Sequence, residues 1–464
     1  MREPRSVRLS SKRGASDERP IRRIVIGAGP AGEVAVGALA RAGLRVALVE
    51  RELIGGECGY WACMPTKTLL RPPEARSESQ RATGVSTPKL DWPKIAAYRD
   101  WMIRNLDDSK QVIRYEEQGI TVVKAPGRLA GRGRVEVDGR LIESERVVVA
   151  TGSDPFIPPI EGLAEAGYWT NREATTLKEI PESAVVLGGG PVGIELAQIL
   201  ARFGAKVTIV QAPERLINRE DPRVGALMRT YLEEEGIALR LGRQAKRVRL
   251  ERGKRIVTLD DEEELRGEAL VVASGRRPRT EGIGLETVAT EAGSRGIPVD
   301  ERCRASDEVW AIGDVTGISL FTHVGKYQAR IATADILGEE GRADYRAVPR
   351  VVFSDPEIAA VGLTEAQARA KGIDAVAATI DLPSAIARPY TYEEEPRGTL
   401  GLVADRERQV LVGAWAVAPL ASEWIRYAVL AIRAGVPLKV LRDTIAQFPT
   451  YMEGYLSALR ALPE

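Results

Sequence analysis

Two copies of one pattern, a short apolar strand running into a glycine-rich turn and then a helix, predict an α/β chain with two Rossmann-like dinucleotide-binding domains. The turns begin at Gly27 and Gly188, 161 positions apart. A third observation lies between them. Cys58 and Cys63, two of only three cysteines in 464 residues, share one Gly-containing segment just after the first copy.

In the first copy, Ile21 to Ile26 reads as a buried strand, followed by Gly27-Ala28-Gly29-Pro30-Ala31-Gly32 and a helical pattern to about Arg41. Gly27 permits the tight turn, Gly29 lets the backbone approach a pyrophosphate, and Gly32 lets the helix pack on the strand. The free N–H groups at the helix start attract that anion. A second strand, Leu44 to Val49, ends at Glu50, where a carboxylate can accept bonds from ribose hydroxyls.

The second copy runs from the strand Ala184–Leu187 through Gly188, Gly190 and Gly193 into a helix from Ile194 to Phe203. Lys206 to Val210 is its next strand, and Gln211 stands where the first copy has Glu50. Two such units imply two dinucleotides with electrons passing between them. A neutral Gln211, with Arg215 nearby, does not repel a 2′-phosphate, which inclines the reading toward NADPH over NADH.

The thiols sit in Gly55-Gly56-Glu57-Cys58-Gly59-Tyr60-Trp61-Ala62-Cys63-Met64-Pro65-Thr66-Lys67. Pro65 suits a first helical turn, so Cys63 is expected at a helix N-terminus, where the dipole favours thiolate. Cys58 is expected upstream, in a more exposed loop. Continuous helix would hold the two about 7.5 Å apart along the axis, outside the range of roughly 4.4–6.8 Å for bridged Cα atoms. The chain must therefore fold back between them. Two cysteines and the only histidine do not fill a four-ligand zinc site without carboxylates, and no metal site is expected. Cys303, alone before a predicted strand, reads as a packing residue.

Composition sets further bounds. The chain is 44% apolar and 28% charged, with a formal net charge of +1, which gives no field to gather nucleic acid or an anionic membrane. No apolar run reaches the roughly 18 residues of a spanning helix. Residues 1–20 are polar and mixed in charge, without a signal core, and read as a flexible tail. Three cysteines fit a reducing cytoplasm.

With these residues in place, the chain from about 21 to 464 resembles the pyridine nucleotide–disulfide oxidoreductases, the group of dihydrolipoamide dehydrogenase, glutathione reductase and mercuric reductase. The resemblance rests on Gly55 to Lys67, on Val148-Val149-Ala150-Thr151-Gly152-Ser153, on Val271 to Pro278 with Gly275, and on Ala311-Ile312-Gly313-Asp314. It implies FAD and NAD(P)H as cofactors, with Thr151, Gly152, Gly275, Gly313 and Asp314 in their binding. It implies that electrons pass from nicotinamide through FAD to a Cys58–Cys63 disulfide. Cys58 is then the interchange thiol, Cys63 the flavin-side thiol, and Lys67 with Glu195 an ion pair near the flavin. It also implies a C-terminal α+β dimerisation domain and a homodimer. His323, in Phe321-Thr322-His323-Val324-Gly325, is expected to have a structural or flavin-edge role.

The resemblance fails at one position. The family's His-Pro-Thr-x-x-Glu segment, whose histidine is the acid–base supplied by the partner subunit, reads here Phe448-Pro449-Thr450-Tyr451-Met452-Glu453. Phenylalanine cannot carry a proton. Tyr451 and Glu453 are the nearest titratable replacements, although both suit interface packing. Three functions remain open: a dihydrolipoamide dehydrogenase-like enzyme; a reductase of a metal ion, quinone or other acceptor needing no imidazole; and a flavin-bound redox sensor without turnover.

The expected layout is an FAD-binding domain over 21–155, an NAD(P)-binding domain over 156–280, a returning FAD segment over 281–345 and an interface domain over 346–464. A helical stretch from Asp91 to Glu117 carries apolar residues at Ile95, Tyr98, Met102, Leu106 and Ile113, which are expected to face the core.

Overall fold

The computed structural model describes residues 23–288 and 290–463. The tail expected over 1–20 and the start of the first strand at Ile21 lie outside them.

Short runs of Val, Ile, Leu and Ala, buried on both faces, suit central strands of parallel sheets. Five of them form the first sheet, in the order Val309–Ala311, Arg146–Val149, Arg23–Ile26, Val46–Val49, Thr121–Val123, all parallel. The outer strand Val309–Ala311 comes from late in the chain, so the chain leaves this sheet and returns to it. A second parallel sheet is inserted between, in the order Ala238–Leu241, Lys206–Gln211, Ser183–Leu187, Ala269–Val272. The outgoing segment Ser153–Pro155 pairs antiparallel with the returning Arg276–Pro278, so the two crossings brace each other.

Beyond Pro349 the pattern becomes α+β. An antiparallel five-stranded sheet runs in the order Pro349–Val352, Glu357–Gly362, Val410–Ala418, Thr399–Asp405, Ala375–Asp381. The helices Arg426–Ala434 and Glu453–Arg460 pack on it, burying Trp424, Ile432, Tyr455 and Leu459.

The stretch from 91 to 117 departs from expectation. It breaks into the helices Trp92–Met102 and Ser109–Glu117 around a short 3₁₀ turn, Arg104–Leu106. Tyr98, Leu106 and Ile113 are exposed, and Tyr98 stacks on exposed Trp101 at 5.5 Å. The inward stripe is Ile95, Arg99 and Ile103, at a spacing of four. A fully buried arginine in its middle hid it from a reading by apolar residues alone. The Arg99 guanidinium donates to the carbonyls of Thr175 and Leu177 (3.1 Å for Leu177) and its Nε donates to Asp100 at 2.8 Å. It thereby ties this helix to the helix Asn171–Thr176, which precedes the second sheet.

Arg99→Met would leave those helix-end carbonyls without a donor in a dry site. The expected cost is about 3 kcal/mol, read as a lower denaturation midpoint; an unchanged midpoint would show that Arg99 is not a structural tie.

Candidate functional site

The two glycine turns are built alike. Gly27 has φ 100°, and a Cβ there would lie 2.3 Å from the Ala150 carbonyl oxygen; Gly188 has φ 120°, with the Ala273 oxygen at 2.4 Å. A Cβ at Gly32 or Gly193 would strike the carbonyl of Gly27 or Gly188, at 1.9 and 1.8 Å. At Gly29 and Gly190, in contrast, a Cβ would meet no atom within 4 Å, so the face of each turn is clear. Each turn opens a helix, Pro30–Arg41 or Pro191–Arg202, whose free N–H groups suit a pyrophosphate. Glu50 and Gln211 occupy matching places: Glu50 accepts from the Ala28 N–H at 2.6 Å, and Gln211 accepts from the Gly189 N–H at 2.7 Å. The residues present therefore fit two dinucleotides.

Around the crossings, the Thr151 hydroxyl donates to the Arg279 carbonyl at 2.8 Å, while Gly152 and Gly275 turn the chain with φ 77° and 131°. The Gly313 N–H donates to the Gln328 side chain at 2.7 Å, and Asp314 accepts from the Ser153 hydroxyl at 2.6 Å. Burial pushes the Asp314 carboxyl up, against the effect of that bond.

Cys63 opens the helix Cys63–Arg81, as its sequence context predicts. Cys58 does not lie in a loop: it sits in a separate five-residue helix, Gly56–Tyr60. The expected fold-back takes the form of a break at Trp61 and Ala62, whose backbone leaves the helical region. Gly55 and Gly56 start the short helix, with the Gly55 N–H donating to the Ala28 carbonyl of the first turn at 2.8 Å. The thiol pair and the first dinucleotide turn are thus directly joined.

Both cysteines are free thiols, half-buried and in hydrogen-bond contact with each other. The bond from Cys58 pulls the Cys63 thiol down to about 6, helped by Thr322, whose Oγ1 lies 3.5 Å from Cys63 Sγ, and by the charge of Lys67. The same contact, with burial, pushes the Cys58 thiol up. These directions favour the proton on Cys58 and the negative charge on Cys63. Cys303 is fully buried, and burial pushes its thiol up to about 12, as suits a packing residue.

One turn after Cys63, Lys67 Nζ lies 2.7 Å from Glu195 Oε2. Glu195 comes from the helix Pro191–Arg202 of the second unit and also accepts from the Phe353 N–H at 2.9 Å. Lys67 lies 4.7 Å over the Phe353 ring. His323 Nε2 lies 2.9 Å from the Pro349 carbonyl oxygen and its ring stacks on Phe321, which engages it in packing. Its neighbour Thr322 is the residue that touches Cys63.

In the C-terminal segment Phe448 is 76% exposed. Tyr451 is buried and stacked on Trp424 at 6.0 Å, and burial pushes its hydroxyl far above its ordinary range. Glu453, the first residue of the last helix, accepts from the Thr450 N–H at 3.1 Å. Neither is free to stand in for a histidine. Sequence reasoning missed Thr322, Phe353, Asn171 and Arg172; the last two bind the short thiol helix, and the charged Glu57 beside Cys58 was the one signal that pointed to them.

Residues 21–336 match the family model for pyridine nucleotide-disulphide oxidoreductases. The chain belongs to that family. Residues 348–459 match the family's dimerisation domain. A mercuric reductase of Streptomyces lividans is 35% identical over 445 residues, covering 92% of this chain and 93% of that protein. A dihydrolipoyl dehydrogenase of Thermus scotoductus is 34% identical over 451 residues, covering 95% and 96%. Among solved structures, the HOCl-induced flavoprotein disulfide reductase RclA from Escherichia coli superposes with a TM-score of 0.84 at 30% identity, over 95% of this chain and 99% of that one. The chain is accordingly an enzyme of the flavoprotein disulfide oxidoreductase class, which uses FAD and NAD(P)H. Among the described residues no helix is long and apolar enough to cross a membrane.

The asymmetry of the two thiols predicts a spectroscopic result. In the reduced, FAD-loaded protein a long-wavelength absorbance from a thiolate beside the flavin should persist at pH 7 and fade as pH drops through about 6, the value for Cys63. Cys58→Ser should keep the band and Cys63→Ser should lose it; the reverse pattern would exchange the two roles.

Proposed function

We propose that this enzyme passes electrons between NAD(P)H and an acceptor through Cys58 and Cys63, with FAD held by the turn at Gly27, Gly29 and Gly32 together with Glu50, Thr151, Gly152, Gly313 and Asp314. The nicotinamide dinucleotide is assigned to the turn at Gly188, Gly190 and Gly193, with Gln211 and Gly275. The observation that carries this reading is the contact between two free thiols, one turn from the Lys67–Glu195 pair. FAD, when bound, supplies the two-electron carrier between nicotinamide and sulfur. Lys67 supplies a fixed positive charge on that side, and Glu195 keeps it oriented and neutralised overall. Cys63 carries the negative charge of the reduced pair, and Cys58 carries the proton and meets the acceptor.

Dithiol–disulfide exchange with an organic substrate requires Cys58 to lose that proton. A positioned base typically contributes about 10²- to 10⁴-fold, and the side chains at 448, 451 and 453 supply none in this chain. A thiophilic cation needs no such base, because binding a metal to thiols itself expels their protons. Phe448 therefore favours an acceptor such as a soft metal ion or a quinone over a disulfide such as lipoamide. The name of one relative, the mercuric reductase, supports the same direction, and RclA, named a disulfide reductase, has a solved Cu(II) complex.

The exposed apolar side chains Leu430, Val440, Ile445 and Phe448, all within the dimerisation domain, support a homodimer. A small cysteine complement supports a cytoplasmic enzyme.

A steady-state screen with NADH and NADPH against lipoamide, small disulfides, quinones and thiophilic metal ions tests the acceptor. Turnover with a metal ion or quinone should exceed that with lipoamide at pH 7 by about 10²-fold or more. Phe448→His should raise lipoamide turnover. Fast lipoamide turnover at neutral pH in the unaltered enzyme would defeat the preference.

A further inference from the structure

The helix that carries Cys58 has only five residues, Gly56–Tyr60, and starts on two glycines in left-handed conformations, φ 120° at Gly55 and 56° at Gly56. A helix this short has no stability of its own. Its shape depends on what holds it. The N-terminal end is tied to the first dinucleotide turn by the Gly55 N–H, and Tyr60 accepts from Arg104 at 3.2 Å.

Most of the further ties come from one short helix, Asn171–Thr176, on the connection to the second unit. A capping box between Thr170 and Glu173 fixes its start, and buried Arg99 binds its last carbonyls. From it, Arg172 reaches across. Its Nε donates to Glu57 Oε1 at 2.8 Å, a second guanidinium nitrogen also bonds Glu57, and the fork spans to both oxygens of Glu52 at 3.0 and 2.8 Å. The guanidinium lies 4.1 Å over the Trp61 ring. Asn171 donates to the other Glu57 oxygen at 3.1 Å and to the Trp61 carbonyl at 2.8 Å, and Thr175 donates to that carbonyl at 3.1 Å. Glu57 and Trp61 bracket Cys58, and Trp61 begins the break that turns the chain back to Cys63.

We infer that Arg172 is a positioning residue: by gripping Glu57 and Trp61 it holds the Cys58 helix so that the two sulfurs stay in contact. The inference rests on the reading of Cys58 and Cys63 as the redox pair. Arg172 touches neither sulfur. A planar fork that pairs with two carboxylates and stacks on an indole is a task lysine cannot perform.

The full-length, FAD-loaded protein, reduced, tests this. Cys63 alkylation by iodoacetamide is followed against pH by peptide mass, which reports where Cys63 becomes a thiolate. Loosening the grip from either side weakens the hydrogen bond between the two sulfurs. Arg172→Met and Glu57→Gln should each raise the midpoint by about half a pH unit, about threefold in the thiolate equilibrium. Arg172→Lys should behave like Arg172→Met. If Arg172 acted only through its charge, Arg172→Met would raise the midpoint and Glu57→Gln would lower it. Opposite shifts, or no shift in folded variants, overturn the inference; should Glu57→Gln fail to fold, Arg172→Lys decides, because a charge-only role would leave its midpoint unmoved. A wild-type protein that gains no thiols on reduction would instead remove the redox-pair reading, a result separate from an unmoved midpoint.

Discussion

Two sulfur atoms have to stay close enough to share a proton in one state and a bond in the other, and every part of the site serves that requirement. A single continuous helix cannot meet it, because five residues of regular helix carry Cys58 and Cys63 too far apart. The chain meets it by breaking between two helices at Trp61 and Ala62. The break has a cost: it leaves a five-residue helix that other elements must hold. The break also sets the polarity of the pair. Cys63 gains the start of a long helix, Lys67 one turn away and Thr322 opposite, while Cys58 has burial and its neighbour's charge against ionisation.

The supports come from widely separated parts of the chain. Lys67 belongs to the first unit, Glu195 to the second, Thr322 to the helix after the returning strand, and Phe353 to the start of the antiparallel domain. The thiol site thus forms only where the two dinucleotide units and the C-terminal domain meet. The Asp314 contact to Ser153 extends the same logic, since Arg276 from the second crossing donates to Ser153 at 2.7 Å and lies 4.0 Å from Glu57. One run of polar contacts therefore links the thiol helix, both crossings and Asp314.

Much of this was legible in the sequence, because the glycine turns, the cysteine spacing and Pro65 are local signals with local physical causes. Cys63 at a helix start, the second unit inserted into the first, and the Lys67–Glu195 pair followed from motif and resemblance. What escaped was decided by distant partners. Cys58 lies in a helix rather than a loop because Arg172, 114 positions away in sequence, holds Glu57. The outward turn of Tyr98 follows from Arg99, whose charge disguised the inward face of the same helix. The use of Tyr451 in packing is set by Trp424, which no spacing rule connects to it. Phe448 was legible as a substitution and its exposure in this chain is now clear, which moves the chemical question from this segment to the acceptor itself.

The most direct measurement is a thiol count on the purified FAD-loaded protein, denatured in the presence of an alkylating reagent before and after one equivalent of NADPH or NADH without oxygen. The account predicts a gain of two thiols, both mapping to Cys58 and Cys63, and no gain in Cys58→Ser. A count that does not rise, or that rises equally in Cys58→Ser, would contradict it.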